Sequence, residues 1–361
     1  MSKPSQDRTP NSVVKKRLKE NKFFVGVDVH KRSYHVSLWN EEHGLLDSWV
    51  QKPSAALLHT KLKPYQPNVV RIVYEAGPTG FGLVRTLRNA GYQAEVIAPS
   101  KMLAAPGPEA KSDRIDSKRL AMYAAKNLLT PIHVPTEEQE GDRQIVRLRE
   151  QIVRKSRSIQ QQIKSFLLLH GIEEPNGLSN WTNVAVQMLH ELQLSVQLRF
   201  CLDIMLNEYD HVKSQLVRLK KRIREMAKEE RHRKTLDLLQ TVPGVGTLTA
   251  VVFRTELVSP ERFADGGQIS RMLGLAPGIR QSGDTRREGS ILRSGNKRLR
   301  TALVEAAWRW VAGDLSAAKT YHRLVANTGS AKKAIVAMAR KLGIVLWKIT
   351  VSQTAYITKS T

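Results

Sequence analysis

Eight apolar residues between Leu202 and Met226 follow one another at steps of three and four: Leu202, Met205, Tyr209, Val212, Leu216, Leu219, Ile223 and Met226. Only an α-helix returns residues so spaced to one face, so the run predicts about 37 Å of helix with a heptad seam. That seam must be covered, either by the chain's own domain or by a second copy. A rod of this length keeps the segments on its two sides apart, so a chain of 361 residues is expected to hold two or three domains. The flanks of the seam are dense in cations: Lys213, Arg218, Lys220, Lys221, Arg222 and Arg224. The excess runs through the whole chain, with 58 Lys and Arg against 33 Asp and Glu and a net charge of +25. Such a charge costs self-repulsion unless a polyanion relieves it, and nucleic acid is the expected partner. A membrane is not expected, because no apolar run approaches the roughly 20 residues of a spanning helix. Residues 1–22 lack the apolar stretch of a secretory signal, and the single cysteine, Cys201, excludes a disulfide framework and the Cys-based zinc motifs. The expected setting is reduced and cytoplasmic.

Residues 1–22, with Lys and Arg among Ser, Pro and Asn, read as a basic flexible arm. The run Phe23-Phe24-Val25-Gly26-Val27-Asp28 predicts a buried strand, and Tyr34-His35-Val36-Ser37-Leu38-Trp39, alternating in period two, its hairpin partner. Val69 to Tyr74 and Ala94 to Ile97 predict two further strands, with a helix through Leu83, Leu87 and Ala90 between them. Strands followed by helices predict an α/β domain over 23–135. Ile145, Leu148, Ile152, Ile159, Ile163 and Phe166 then take up helical spacing, and 136–233 is expected to be helical through the seam. A mainly helical domain is expected over 234–330, and a C-terminal helix and tail over 331–361, with Ile335, Met338, Leu342 and Leu346 on one side. The fold class expected is therefore α/β plus all-α. His30 and His35, without cysteine partners, read as structural. Trp308 and Trp310 lie two apart on a helix and cannot share a face, so one is expected in the core and the other at a surface.

The first domain sets carboxylates where chemistry is usually found. Asp28 and Glu75 end strands, and Asp113 and Asp116 stand at the start of a helix, three apart and so on one face. Taken singly, each is equally a turn residue, an N-cap or a first-turn acid favoured by the helix dipole. Four converging carboxylates would repel unless a divalent ion neutralised them, and oxygen-only ligands favour Mg²⁺ or Mn²⁺ over zinc. Two such ions about 3.5–4 Å apart can activate a nucleophile and steady a leaving oxygen on phosphate.

In the second domain Leu239 to Thr247 is an apolar helix end followed by Pro243-Gly244-Val245-Gly246, the turn of a helix-hairpin-helix whose backbone N–H groups can hold a phosphate. The same string also suits a plain connector in which glycine supplies positive φ. Further on, Leu273 to Gly283 carries a Ser-Gly pair at Ser282, and Arg286, Arg287, Arg293, Lys297, Arg298 and Arg300 come after it. Cations at this density suit a scissile phosphate, which arginines neutralise and a serine can attack once a base or metal activates it. Most Ser-Gly pairs in basic loops only bind phosphate or turn the chain.

Val25-Gly26-Val27-Asp28-Val29-His30-Lys31, Glu75-Ala76-Gly77-Pro78-Thr79-Gly80 and Lys111-Ser112-Asp113-Arg114-Ile115-Asp116 together resemble the Asp-Glu-Asp-Asp signature of DEDD transposases, the insertion-sequence one-ten family of bacterial mobile elements, related to the Piv-type DNA invertases. The block from Gly274 to Arg300, with Pro243 to Gly246 before it, resembles that family's C-terminal domain, and the likeness runs in order over residues 23–350. Ser117 departs from it, standing where many relatives have Ala. The resemblance implies a RuvC-like (RNase H-type) N-terminal domain, a coiled-coil helical insertion and a C-terminal helical transposase domain with the helix-hairpin-helix element. It implies Asp28, Glu75, Asp113 and Asp116 as ligands of Mg²⁺ or Mn²⁺, and Ser282 as the nucleophile of a 5′-phosphoserine link, with Ser290 and Ser294 next in line. It further implies donor and target DNA, a structured noncoding guide (bridge) RNA, and a homo-oligomer, dimer or tetramer, whose site can draw carboxylates and serine from different subunits. The groups expected on nucleic acid are Lys111, Arg114, Lys220, Lys221, Arg286, Arg287, Arg293, Lys297, Arg298 and Arg300, with the backbone at Gly244 and Gly246. Such a protein works in the bacterial cytoplasm, at the nucleoid. The absence of a phosphate-loop motif fits exchange without ATP. Two rivals use the same residues: a metal-dependent, structure-selective nuclease with water as nucleophile, and a non-catalytic nucleic-acid-binding protein.

Overall fold

In a computed structural model the chain is described over residues 22–98, 113–282, 285–292 and 294–358, with backbone alone at 113–115, 279–282 and 285–288. It divides into two compact units, Met1–Pro135 and Thr136–Thr361. All of the expected arm (residues 1–22) except Lys22 lies outside the described residues, as do Lys111 and Arg293.

The first unit is a five-stranded mixed sheet with helices on its faces. Its elements are β1 (Phe23–Val29), β2 (Tyr34–Asn40), β3 (Gly44–Gln51), α1 (Ala55–Leu62), β4 (Val69–Glu75), α2 (Gly82–Asn89), β5 (Ala94–Ile97) and α3 (Asp113–Ala125), in sheet order β3-β2-β1-β4-β5. β1 pairs antiparallel with β2 and parallel with β4. Strand β3 was not expected. Its string Gly44-Leu45-Leu46-Asp47-Ser48-Trp49-Val50-Gln51 lacks the β-branched run of the central strands, and it is an edge strand whose residues are mostly part-exposed.

Alternation along β1, and along β4 from Ile72 onward, builds two cores. Phe23, Val25, Val27, Ile72 and Tyr74 face Leu58, Leu62, Leu83 and Leu87 of α1 and α2, while Phe24 and Val73 pack with Leu120 and Ala124 of α3. Gly26 lies between Phe24 and Asp28 on the α3 side, and a Cβ there would stand 2.1 Å from Ser117 O and 2.5 Å from Ala121 N. Glycine is what allows the backbone of α3 to rest on the strand. Beside this contact the buried hydroxyls of Ser117 and Ser37 lie 2.9 Å apart.

The second unit is helical. After α4 (Glu137–Leu169) come α5 (Asn183–Glu191), α6 (Val196–Lys228), α7 (Glu230–Gln240), α8 (Thr247–Leu257) and α9 (Gly266–Met272). A β6 (Pro277–Ser282) and β7 (Thr285–Ile291) hairpin comes next, then α10 (Lys297–Gly313), α11 (Leu315–Thr328) and α12 (Ala331–Ser352). Thr136 starts α4 with a capping box closed by Gln139. The seam of α6 is covered within the chain by α4: Ile159, Ile163 and Leu167 share a core with Leu202, Leu206 and Tyr209, and Val146 shares one with Ile223 and Met226. The two helices are thus antiparallel, and Leu216 and Leu219, midway along the seam, are only half-buried. The larger core draws in α7, α8, α9, α10 and α12, including Leu239, Phe253, Leu273, Leu303 and Leu342. Trp310 is buried in it, whereas Trp308 is 48% exposed.

Candidate active site

The last ladder pair between the parallel strands β1 and β4 is Val27 with Tyr74, so Asp28 and Glu75 come one step later on neighbouring strands, about 4.8 Å apart at this spacing. Alternation places both on the face that α3 covers, two positions beyond Gly26 and Val73. The direction of α3 is set by its contacts: Ser117 and Ala121 lie over Gly26, and Leu120 and Ala124 share a core with Phe24. The helix therefore runs against β1, with its N-terminus at the end where β1 and β4 finish. One turn back from Ser117 moves about 6 Å, and two residues on from Gly26 move about 6.6 Å, so the backbone of Asp113 reaches the level of Asp28.

Asp28 is part-buried and lies 3.0 Å from His30 Nε2 through Oδ2, with 19% of its side chain exposed. His30 in turn stacks edge-on with His35, ring centroids 6.0 Å apart, so both histidines are tied to this strand end. Asp116 is 38% exposed and faces Arg119 one turn on, at 3.9 Å. No group of three or more metal-ligating side chains converges among the described residues, which do not include the Asp113 carboxylate. As a donor set, carboxylates at two strand ends and one helix start suit a hard divalent cation.

In the second unit, Ser282 sits at the end of β6 opposite Thr285, and Arg280 opposite Arg287. The segment read from sequence as a basic loop is thus a β-hairpin. Ser290 is exposed on β7, and Ser294 is exposed in the turn beyond it. The root of the hairpin is tightly held. Leu292 N–H donates to Ala276 O at 2.8 Å and Asn296 N–H to Met272 O at 2.7 Å. A Cβ on Gly295 would stand 2.1 Å from Gly274 N, so two glycine backbones touch.

Among the cations expected on nucleic acid, Lys220, Lys221 and Lys297 are exposed. Arg298 is ion-paired with Glu150 and so ties α10 to α4, and Arg300 donates through Nη1 to Gly274 O at 3.3 Å, so it also serves the hairpin root. Of the side chains at Arg114, Arg286 and Arg287 nothing is described. Gly244 has φ +83°, and a Cβ there would stand 2.7 Å from Arg309 Cβ and from Trp310 N, so its first requirement is packing against α10. Gly246, the N-cap of α8, has open space where a Cβ would stand.

A buried polar cluster that the sequence did not disclose stands behind the hairpin. Glu256, its side chain 1% exposed, is held at both oxygens by Arg147, Nε–Oε1 2.7 Å and Nη2–Oε2 2.8 Å. Its Oε2 also accepts from Asn296 Nδ2 at 2.8 Å. Burial pushes the Glu256 carboxyl up, but the hydrogen bonds and charge of Arg147 outweigh it and hold the group below the usual carboxylate value. Arg147 and Glu256 are 109 residues apart and belong to no local pattern, so no sequence signal announced them.

The first unit is consistent in architecture with a DEDD nuclease-like domain, followed by a helical unit with a basic hairpin. Residues 25–172 match the DEDD transposases of IS110 elements, described as Transposase, and residues 236–323 match the family described as Transposase IS116/IS110/IS902 family. The putative transposase y4qE of Sinorhizobium fredii is 32% identical over 294 residues, which cover 80% of this chain and 71% of that protein. The transposase for insertion sequence element IS1328 of Yersinia enterocolitica is 23% identical over 351 residues, 93% of this chain and 99% of that one. The transposase for IS1111A of Coxiella burnetii is 22% identical over 280 residues, 75% of each chain. The chain belongs to the IS110 family of insertion-sequence transposases, enzymes that cleave and recombine DNA. Among the described residues no helix is long and apolar enough to cross a membrane.

Proposed function

We propose that this transposase cleaves and exchanges DNA strands through a covalent 5′-phosphoserine intermediate at Ser282, with Asp28, Glu75, Asp113 and Asp116 holding Mg²⁺ or Mn²⁺ and a structured guide RNA choosing the DNA sites. The observation that carries the reading is the common end of the first unit's sheet, where Asp28 and Glu75 finish adjacent parallel strands on one face and α3 brings its acidic first turn to the same level. Bound there, a divalent cation would neutralise the phosphate and ease ionisation of the attacking and leaving oxygens. Ser282 Oγ attacks phosphorus, the Oγ–P bond forms and the P–O3′ bond breaks, so the serine proton is lost and the departing strand takes one up as its 3′-hydroxyl. Attack by a 3′-hydroxyl of the incoming strand reverses the step, remaking the phosphodiester and freeing the serine, so no ATP is consumed. The basic hairpin neutralises the scissile phosphate, and the exposed cations of α6, Lys220 and Lys221, hold RNA by its backbone, leaving sequence choice to base pairing. Two DNA molecules must each be cut on two strands, which calls for a homo-oligomer, and the reaction is placed in the bacterial cytoplasm.

The test incubates the purified protein, its co-purifying RNA and Mg²⁺ with labelled duplex carrying the element's own junction. A protein–DNA adduct should survive denaturing electrophoresis, vanish in Ser282→Ala, and vanish in Asp116→Ala while DNA affinity holds or rises slightly. Cleavage without an adduct, undiminished by Ser282→Ala, means that water attacks and gives the structure-selective nuclease reading instead.

A further inference from the structure

The β6–β7 hairpin is a lever. From its root at Ala276 to Ser282 it runs six residues, about 20 Å of strand, so a rotation of about 5° at the root moves the tip by about 1.7 Å. The returning chain enters α10 through Asn296. Its Oδ1 accepts from the N–H groups of Arg298 at 3.0 Å and Leu299 at 3.2 Å, and its Nδ2 donates to Glu256. Were the amide reversed, its oxygen would face the Glu256 carboxylate and its NH₂ would face two N–H donors, both repulsive. Glu256 therefore selects one orientation of the cap. Arg147 keeps Glu256 from turning, because it occupies both carboxylate oxygens. An apolar cluster of the same volume would cost less desolvation, yet would leave the cap N–H groups alone to select the orientation of the Asn296 amide.

We infer that Glu256 is a positioning residue of the transposition reaction, setting through Asn296 the angle at which the hairpin presents Ser282 to DNA. The inference rests on the reading of Ser282 as nucleophile.

The test uses the full chain with its co-purifying RNA, Mg²⁺ and the labelled junction duplex, and takes two readouts: the single-turnover rate of adduct formation at saturating DNA, and amide exchange at positions 292 and 296. Asn296→Asp keeps the cap acceptor but turns the donor toward Glu256 into a second carboxylate. It should slow adduct formation by about 10- to 100-fold, the cost of misplacing a reacting group by about 1 Å, with DNA affinity within about twofold of wild type and faster exchange at the root. Adding Glu256→Gln restores one amide and one carboxylate to the pair, the glutamine NH₂ donating to the aspartate, its oxygen accepting from Arg147 Nε, and Arg147 Nη2 turning from the glutamine to the aspartate. The double variant should recover most of the rate, which general destabilisation would not allow. If Asn296→Asp does not fold, Asn296→Ser, which keeps the cap and drops only the donor, takes its place. An unchanged adduct rate despite faster root exchange, or a double variant as slow as the single one, overturns the role of Glu256. A wild-type chain that forms no adduct, or Ser282→Ala that still forms one, fails the phosphoserine reading itself, and root exchange that still responds to Asn296→Asp tells this failure from the other.

Discussion

Gly26 and Gly295 have the same task in the two units: each lets one stretch of backbone press on another so that a candidate catalytic group is carried to a fixed place. Their surroundings differ. Around Gly26 the seat is apolar, with Phe24, Val73, Leu120 and Ala124 buried together and one pair of serine hydroxyls beside them. Around Gly295 the seat is polar, with Glu256, Arg147 and Asn296 locked by hydrogen bonds within 2.7–2.8 Å. Apolar contacts are non-directional and fix how close two elements lie, whereas hydrogen bonds fix orientation. On the proposed reading the first seat has to bring four carboxylates to one end of a sheet, a matter of distance. The second has to aim a hairpin, a matter of angle.

The comparison can be broken most forcefully at Arg147. Arg147→Met would leave the Glu256 charge buried without its cation, and breaking such a pair costs about 3–5 kcal/mol; the lower end applies because Arg147 is 32% exposed. Urea unfolding of the full chain measures it, and a loss under about 1 kcal/mol would show that Asn296 satisfies Glu256 alone. Next in size is Gly26→Ala. Its new Cβ meets backbone atoms at 2.1 and 2.5 Å, which cannot swing aside, so α3 must lift, at about 2–3 kcal/mol for overpacking. Cleavage of junction DNA should be lost with it, while DNA binding persists. Wild-type cleavage in this variant would mean that α3 shifts without moving its acids. Smaller again is Ser117→Ala, about 1 kcal/mol or less, since Ser37 Oγ keeps Ser48 Oγ within 3.4 Å. Its cleavage rate should not change. A fall would show that the serine pair orients α3 as Glu256 orients the hairpin, and the contrast between the seats would dissolve.

The same difference explains what could be read from the chain beforehand. The continuous apolar runs from Phe23 to Asp28 and from Val69 to Tyr74 are local signals, so the strands and the acids at their ends were legible, though not which face each strand residue takes. The step of three and four over Leu202 to Met226 likewise announced a helix and its seam, though not that α4 of the same chain covers it. Ser282 was legible as a residue but not as the end of a strand, because basic, glycine-broken strings read as loops until the register of Arg280 with Arg287 is known. Arg147, Glu256 and Asn296 were illegible for a physical reason. Directional bonds between residues 40 and 109 positions apart leave no periodic trace, and each looks like any surface residue in its own helix.

The smallest effect tests the polar seat by pH. The Glu256 carboxyl is held below its usual value of 4.5 by Arg147, despite the opposing effect of burial. A carboxyl depressed on folding contributes stability that is present above its unfolded value and lost as pH falls through its folded value. Glu256→Gln has no such proton to take up. The stability gap between wild type and Glu256→Gln should therefore be widest near neutrality, hold down to the usual carboxylate range, and narrow as pH drops below 4.5. Other depressed carboxyls, such as Glu229 beside Arg231 and Arg222, titrate in both proteins and cancel in the difference. Urea unfolding of the two chains at neutral pH and below the carboxylate range measures the gap. A gap that stays constant would mean that Arg147 does not lower the carboxyl, and the polar seat would then fix orientation through the bond from Asn296 to the Glu256 carboxylate alone.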